Sequence, residues 1–321
     1  MSISKIAVFR FEASQKIGAG HAIRSSVLAD YLQNLNYVIY IASSEDTYNF
    51  IPHLSIYKRI EPEKLIENDF LCDILFIDSY DIDIKLETQY RKHAKKIVVI
   101  DDLANRNHDC DVLIDQTYGR KKTDYKNLTP SHSLLLTGID YILVRNEFLK
   151  IKNKVDFKRK ETKQINRILI TMGGSDPNNY TIKALQEIEK SNFNGFIDIV
   201  LGFNSENYNY FLNYEKSISK KIQIHINADM PDLIYKADLS LGASGSGIWE
   251  RLFLSLPSVL YVTADNQNQI FKNLISNNLA YTPESINHLL TANYLDLIRI
   301  PNIIDGLGAK RVVQSILGEC L

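Results

Sequence analysis

The sequence predicts an α/β protein built from two open parallel sheets, each with helices on both faces. Three observations carry that expectation. Short apolar runs alternate with helical segments, the alternation occurs twice on either side of a charged stretch near 150–167, and 321 residues suit two domains at roughly 150 residues each.

In the first half the predicted strands are Ile3 to Phe9, Tyr37 to Ala42, Asp73 to Asp78, Lys96 to Ile100 and Val112 to Asp115. Each is a continuous apolar run, as a strand buried on both faces requires. Ile23, Val27, Leu28, Tyr31, Leu32 and Leu35 recur at three-to-four spacing, which predicts a helix over His21 to Leu35 with one face against the sheet. Lys152, Lys154, Lys158, Arg159, Lys160, Glu161 and Lys163 make a mostly basic run, read as a solvated interdomain linker. Apart from Phe157 it lacks the interleaved aromatics of a nucleic-acid arm. The second series runs through Arg167 to Met172, Ile197 to Leu201, Ile222 to Ile226, Leu239 to Leu241 and Ser258 to Val262. Domains are therefore drawn at 1–150 and 151–321, with a ligand expected in the cleft at the carboxyl ends of both sheets.

A composition of 45% hydrophobic and 23% charged residues, with 14 Gly and 8 Pro, is that of a folded chain with a sizeable core, not a disordered or fibrous one. Lys plus Arg number 37 against 38 Asp plus Glu, a net charge of -1. No global field then draws a nucleic acid or an anionic membrane, neither is an expected partner, and any phosphate site must be local. Apolar runs such as Ile97 to Ile100 and Leu134 to Leu136 fall far short of the ~20 residues that span a bilayer. Met1 to Arg10 carries no long apolar region followed by a cleavage site, so a cytoplasmic location is expected. Cys72, Cys110 and Cys320 are widely spaced, without a Cys-x-x-Cys or clustered His. They are read as plain thiols, not a disulfide framework or a zinc site.

Three segments have the composition of ligand loops. Gly18-Ala19-Gly20-His21 follows the first strand and opens the long helix. Its glycines allow a close backbone approach, but Ile23 stands where a dinucleotide fingerprint needs a third Gly, so NAD is not the expected ligand. His21 would meet the positive end of the helix dipole, with Arg24 one turn on, and both effects favour a neutral imidazole able to act as a base. Met172-Gly173-Gly174-Ser175-Asp176-Pro177-Asn178-Asn179 precedes the helix carrying Ala184, Leu185 and Ile188, where free amides suit a phosphate unless a polar side chain caps them. Gly242-Ala243-Ser244-Gly245-Ser246-Gly247-Ile248-Trp249-Glu250 is a second such loop. Glu250, one turn into the helix, suits ribose hydroxyls or simply the helix dipole. Together the three loops suggest a diphosphate held by one sheet and chemistry delivered by the other.

Asp81/Asp83 and Asp109/Asp111 are Asp-x-Asp pairs of the kind that can hold Mg or Mn, but neither lies in a diphosphate loop. They are read as turn caps, and no metal or cofactor is expected. A serine-hydrolase elbow is broken at Ser246, where the last Gly belongs, so Ser244 is not read as a nucleophile.

The segments IGAGHAIRSSVLADYL, IDDLANRNHDCDVLIDQ, GIDYILVRNEF, ITMGGSDPNNYT, MPDLIYKADLSLGASGSGIWERLFLSLPSV, ADNQ and DGLGAKRV resemble, nearly end to end, the PseG family of nucleotide-sugar hydrolases of pseudaminic acid biosynthesis, relatives of the GT-B glycosyltransferases. The resemblance implies a GT-B-like fold of two Rossmann-like domains. It implies hydrolysis of UDP-2,4-diacetamido-2,4,6-trideoxy-β-L-altropyranose to UDP and the free sugar, with C–O cleavage and inversion. Carried over by motif, His21 is the base that activates water, with Gly20 and Arg24 beside it. Tyr80 and Asn266, with Gln267, contact sugar or phosphate; Gly173, Gly174, Ser175, Ser244, Gly245 and Ser246 flank the phosphates; and Glu250 binds ribose. The small-residue loop departs from the family where Gly247 and Ile248 follow Ser246, in place of a Ser-Thr pair. A monomer is expected. Two alternatives stand beside this reading: an inverting glycosyltransferase in which His21 deprotonates an acceptor hydroxyl, and a nucleotide-sugar sensor without turnover.

Overall fold

The computed structural model describes residues 5–67, 70–174, 176, 178–202, 205, 208, 210–211, 221–226, 228–298 and 302–318. They form two compact units, Met1–Val144 with Gly306–Leu321, and Arg145–Asp305.

The first unit is built on a parallel sheet of seven strands: β1 (Ile6–Phe11), β2 (Val38–Ala42), β3 (Lys58–Ile60), β4 (Cys72–Asp78), β5 (Ala94–Ile100), β6 (Val112–Asp115) and β7 (Leu134–Thr137). Their order is β3-β2-β1-β4-β5-β6-β7. The inner strands coincide with the apolar runs because each is covered on both faces. Helix α1 (Gly20–Asn34) sets Ala22, Val27, Leu28, Ala29 and Leu32 against Phe9, Phe11, Ile39, Ile41 and Phe76. A shorter helix, α2 (Ile84–Tyr90), follows β4.

The second unit carries β8 (Arg167–Thr171), β9 (Phe196–Leu201), β10 (Ile222–Ile226), β11 (Leu239–Ala243) and β12 (Ser258–Tyr261), all parallel, in the order β10-β9-β8-β11-β12. Its helices include α3 (Asn146–Glu161), α4 (Tyr180–Glu189), α5 (Met230–Lys236), α6 (Gly247–Phe253) and α7 (Asn268–Ser276). Ala184, Leu185 and Ile188 of α4 join a core with Ile168, Ile170, Ile197, Ile199, Leu239 and Leu241. The last helix, α8 (Gly308–Leu317), returns to the first unit, where Val312, Val313 and Ile316 enter the same core as α1.

Two expectations are corrected here. The basic stretch is not a linker but lies in α3 up to Glu161, with Lys163 just beyond it, and the break between units falls after Val144. Lys158 donates to the Lys236 carbonyl at 2.7 Å and to Asp238 at 2.9 Å. Arg159, fully buried, donates to the carbonyls of Ile234, Ala237 and Leu254. Of the charges that read as solvated, Lys158 and Arg159 satisfy the open carbonyl ends of α5 and α6, a use of basic side chains that composition alone does not reveal, while Lys154, Lys160, Glu161 and Lys163 are exposed. The second correction is that the last sixteen residues, Gly306–Leu321, belong with the first unit, because the apolar face of α8 matches the α1 core.

Cys72 and Cys110 are buried and unpaired, and burial pushes both thiols up to about 12, out of range for a nucleophile at neutral pH. Cys320 lies outside the described residues. Among the described residues no helix is long and apolar enough to cross a membrane.

Candidate active site

Three buried aspartates stand at the carboxyl edge of the first sheet. Asp78 closes β4, Asp101 directly follows β5 and Asp115 closes β6, on three neighbouring strands. An apolar run that ends in a carboxylate does so where the chain leaves the sheet, the edge at which parallel α/β sheets gather ligand-facing groups.

His21 is the second residue of α1 and is 8% exposed. Its Nε2 lies 3.8 Å from Asp78 Oδ1, beyond hydrogen-bond length but close enough to put a carboxylate at one edge of the ring. The Tyr80 ring meets the imidazole edge-on, with centroids 4.9 Å apart and planes at 74°. One turn along the helix, Arg24 donates to both oxygens of Asp78, from Nε at 2.6 Å and Nη2 at 2.5 Å, and from Nη1 to Asp102 at 2.7 Å. The Tyr80 hydroxyl donates to the other Asp102 oxygen at 2.7 Å. Burial opposes the charge of Arg24, but Asp78 and Asp102 outweigh it and hold its pKa well above the usual arginine value. Burial likewise opposes the Asp102 charge, and Arg24 and Tyr80 overcome it and lower its pKa. The cation that the spacing sets one turn from His21 is thus matched by two carboxylates, one of which faces the histidine. Gly20, His21, Arg24 and Tyr80 are brought together, with Asp78 and Asp102 as the members sequence reasoning missed. The signal for both was present in the acidic residues that close the runs Ile74 to Asp78 and Ile97 to Asp102.

In the second unit the loop after β8 differs from expectation. Gly173 takes φ +89, a conformation that favours glycine. The first two amides of α4 are already taken, because Asp176 accepts from Tyr180 N and Thr181 N, both at 2.8 Å. That is the capping alternative. Gly174 lies in the same loop; Ser175 and Pro177 lie outside the described residues.

The loop after β11 is tied to the segment after β12. Ser244 is fully buried, its hydroxyl donating to the Tyr261 carbonyl at 3.0 Å, with Gln267 Oε1 3.4 Å away. It anchors the loop and presents no free hydroxyl. Gln267 Oε1 also accepts from Thr263 N at 3.0 Å, and a Cβ on Gly245 would sit 3.3 Å from Gln267 Nε2. Gly245, half-buried Ser246 and exposed Asn266 remain on this rim. Glu250 is buried, and both its oxygens are gripped by Arg145, from Nε at 2.6 Å and Nη2 at 3.0 Å; burial raises its pKa against the pull of Arg145. Behind the loop, buried Arg251 donates to the Ala243 and Gly247 carbonyls.

Three of the four Asp-x-Asp carboxylates have structural partners. Arg91 spans Asp109 and Asp111, each at 2.7 Å, and Asp83 caps α2 through Leu86 N at 3.1 Å.

No family model matches the chain. An uncharacterized protein of Methanocaldococcus jannaschii, MJ1062, is 30% identical over 293 residues, which is 83% of this chain but 57% of that longer protein. The UDP-2,4-diacetamido-2,4,6-trideoxy-beta-L-altropyranose hydrolase of Campylobacter jejuni is 28% identical over 241 residues, covering 68% of this chain and 75% of the hydrolase. Among solved structures, the UDP-GlcNAc 2-epimerase of Neisseria meningitidis matches with a TM-score of 0.64 at 16% identity, over 99% of this chain and 100% of the epimerase. MurG of Acinetobacter baumannii matches with a TM-score of 0.62 at 14% identity, over the same shares of the two chains. The fold is GT-B-like, with two Rossmann-like domains.

Proposed function

We propose that this chain processes a UDP-activated sugar, and that the reaction is hydrolysis of a UDP-2,4-diacetamido-2,4,6-trideoxy sugar to UDP and the free sugar, as in pseudaminic acid biosynthesis. The observation that carries the reading is the buried His21 with Asp78 3.8 Å from its Nε2 and the Tyr80 ring in T-shaped contact with it. Similarity to the Campylobacter jejuni hydrolase over 68% of the chain supports the substrate class.

In this mechanism His21 takes a proton from water, and the water oxygen attacks the anomeric carbon on the face opposite UDP. The carbon–oxygen bond to the diphosphate breaks, its electron pair leaves on UDP, and the anomeric configuration inverts. Asp78, itself fixed by Arg24, steadies the positive charge that His21 acquires, the role of the orienting carboxylate in a hydrolytic triad. UDP is a good leaving group and needs no strong acid. Gly173, Gly174, Gly245, Ser246, Asn266 and Gln267 are the proposed nucleotide-diphosphate and sugar contacts. Glu250, oriented by Arg145, is the proposed ribose acceptor.

The test is incubation with UDP-2,4-diacetamido-2,4,6-trideoxy-β-L-altropyranose in ¹⁸O-labelled water, with mass analysis of both products. Label in the free sugar is expected. Label in UDP means attack at phosphorus and sinks the mechanism. A sugar that passes to an added acceptor, without release to water, identifies a glycosyltransferase instead.

A further inference from the structure

Behind Tyr80, in the first unit, three buried polar atoms have no hydrogen-bond partner among the described residues: Asp101 Oδ1, Arg106 Nε and His108 Nε2. They belong to one cluster. Arg106 Nη2 lies 3.4 Å from Asp101 Oδ1, and His108 Nε2 lies 3.8 Å from the same oxygen. The residues are otherwise well used. Asp101 Oδ2 accepts from Ala104 N and the Tyr125 hydroxyl, both at 2.8 Å, and His108 Nδ1 is hydrogen-bonded to Glu87 Oε1 at 2.8 Å. Asp101, His108 and Glu87 have essentially no exposure. Buried polar atoms are almost always satisfied, so three orphans in one cluster, two of them 3.8 Å apart, call for a partner that is not a side chain.

We infer that Asp101 Oδ1, Arg106 Nε and His108 Nε2 enclose one tightly held water molecule, and that this water fixes Arg106 and, through it, the aim of Tyr80. The chemistry of the three atoms selects the ligand. Arg106 Nε can only donate and the Asp101 oxygen can accept, so the occupant must both accept and donate. An anion would face the carboxylate and a metal ion the guanidinium. A gap of 3.8 Å is too long for a direct hydrogen bond, yet one water can bond both sides of it at about 2.8 Å. Three hydrogen bonds are the usual number for a buried water.

Arg106 carries the consequence towards His21. Its Nη1 donates to the Tyr80 carbonyl at 3.0 Å and its Nη2 to the Ser79 carbonyl at 2.7 Å. The segment that places the Tyr80 ring against His21 and the Tyr80 hydroxyl on Asp102 is therefore held by a guanidinium whose Nε is held by the water. Arg106 and His108 are positioning residues for Tyr80. The kinetic part of this inference rests on the proposed hydrolysis; the water and the Tyr80 contact do not.

A high-resolution crystal structure of the unliganded protein tests the site directly. Density for a water within hydrogen-bond distance of all three atoms is expected, and its absence overturns the inference. His108→Phe keeps the ring and removes its nitrogens. It should lose the water, release the Tyr80 hydroxyl from Asp102 and lower kcat about tenfold while KM stays within about twofold, with His108→Gln restoring part of both. A variant crystal in which the water is gone and Tyr80 still bonds Asp102 refutes the positioning role. If the variant does not fold, His108→Asn, whose amide can keep the bond to Glu87 while the outer ring nitrogen is removed and every Arg106 donor stays, is read by the same two distances. A wild type that shows the water and the Tyr80 contact but hydrolyses no nucleotide sugar would defeat the proposed function alone.

Discussion

Arg24 grips Asp78 through two donors, Nε at 2.6 Å and Nη2 at 2.5 Å, so the carboxylate that faces His21 cannot rotate away from it. A side chain clamped in this way holds its geometry without the substrate, as a preorganised charge should.

The first prediction concerns the base. His21→Ala removes the proton acceptor and should lower the hydrolysis rate by about 10²- to 10⁴-fold. UDP affinity, measured by calorimetry, should be nearly unchanged. An equal loss of UDP binding would contradict the role assigned to His21.

Asp78→Asn separates orientation from proton acceptance. The amide leaves His21 in place but turns an NH2 group towards Arg24 and removes the charge at the ring edge. A rate loss of up to about 10⁴-fold is expected, by analogy with loss of the orienting carboxylate in a triad. Breaking a buried pair should also cost about 3 kcal/mol in chemical denaturation. A variant with full activity would show that Asp78 serves the fold alone.

The inner strands and α1 were legible because continuous apolar runs and a three-to-four repeat arise directly from burial. The run Ile74 to Asp78 reads as a strand for the same reason that it is one. Lys58–Ile60 did not read as a strand, since a short charged edge segment owes its pairing to its neighbour β2, not to its own apolar content. Lys158 and Arg159 misled because a basic side chain looks the same in sequence whether it meets water or a carbonyl. Loop composition and resemblance single out His21, Arg24 and Tyr80 as candidates, and the structure sets the three near Asp78 and Asp102. Asp78 and Asp102 were missed because their value lies in a fork of hydrogen bonds that joins residues 54 and 78 positions apart.

Arg159 gives a prediction about folding. Its guanidinium satisfies the carbonyls of Ile234, Ala237 and Leu254. Arg159→Met keeps much of the volume and strands these acceptors, each at about 1–3 kcal/mol. The variant should be destabilised by about 3 kcal/mol or more, measured by urea unfolding, and Arg159→Lys should recover only part. An unchanged midpoint would mean that water replaces the guanidinium freely.

Asp198 sets the last prediction, on acid stability. This carboxylate lies in β9 between Arg167, at 2.5 and 2.8 Å, and His225, at 2.8 Å. Burial works to raise its pKa, but the hydrogen bonds from Arg167 and His225 outweigh that and leave it lowered. A folded-state pKa below the unfolded one, which is about 3.9 for Asp, makes the unfolded chain bind the proton more readily. The stabilisation is therefore complete above about pH 4 and disappears as pH falls through the folded value. Asp198→Asn should remove this contribution, so that the difference in stability between wild type and variant, followed by urea denaturation from pH 7 to pH 2, narrows below about pH 4. A difference that stays constant over that range would mean that the Arg167 and His225 contacts do not favour the ionised form of Asp198.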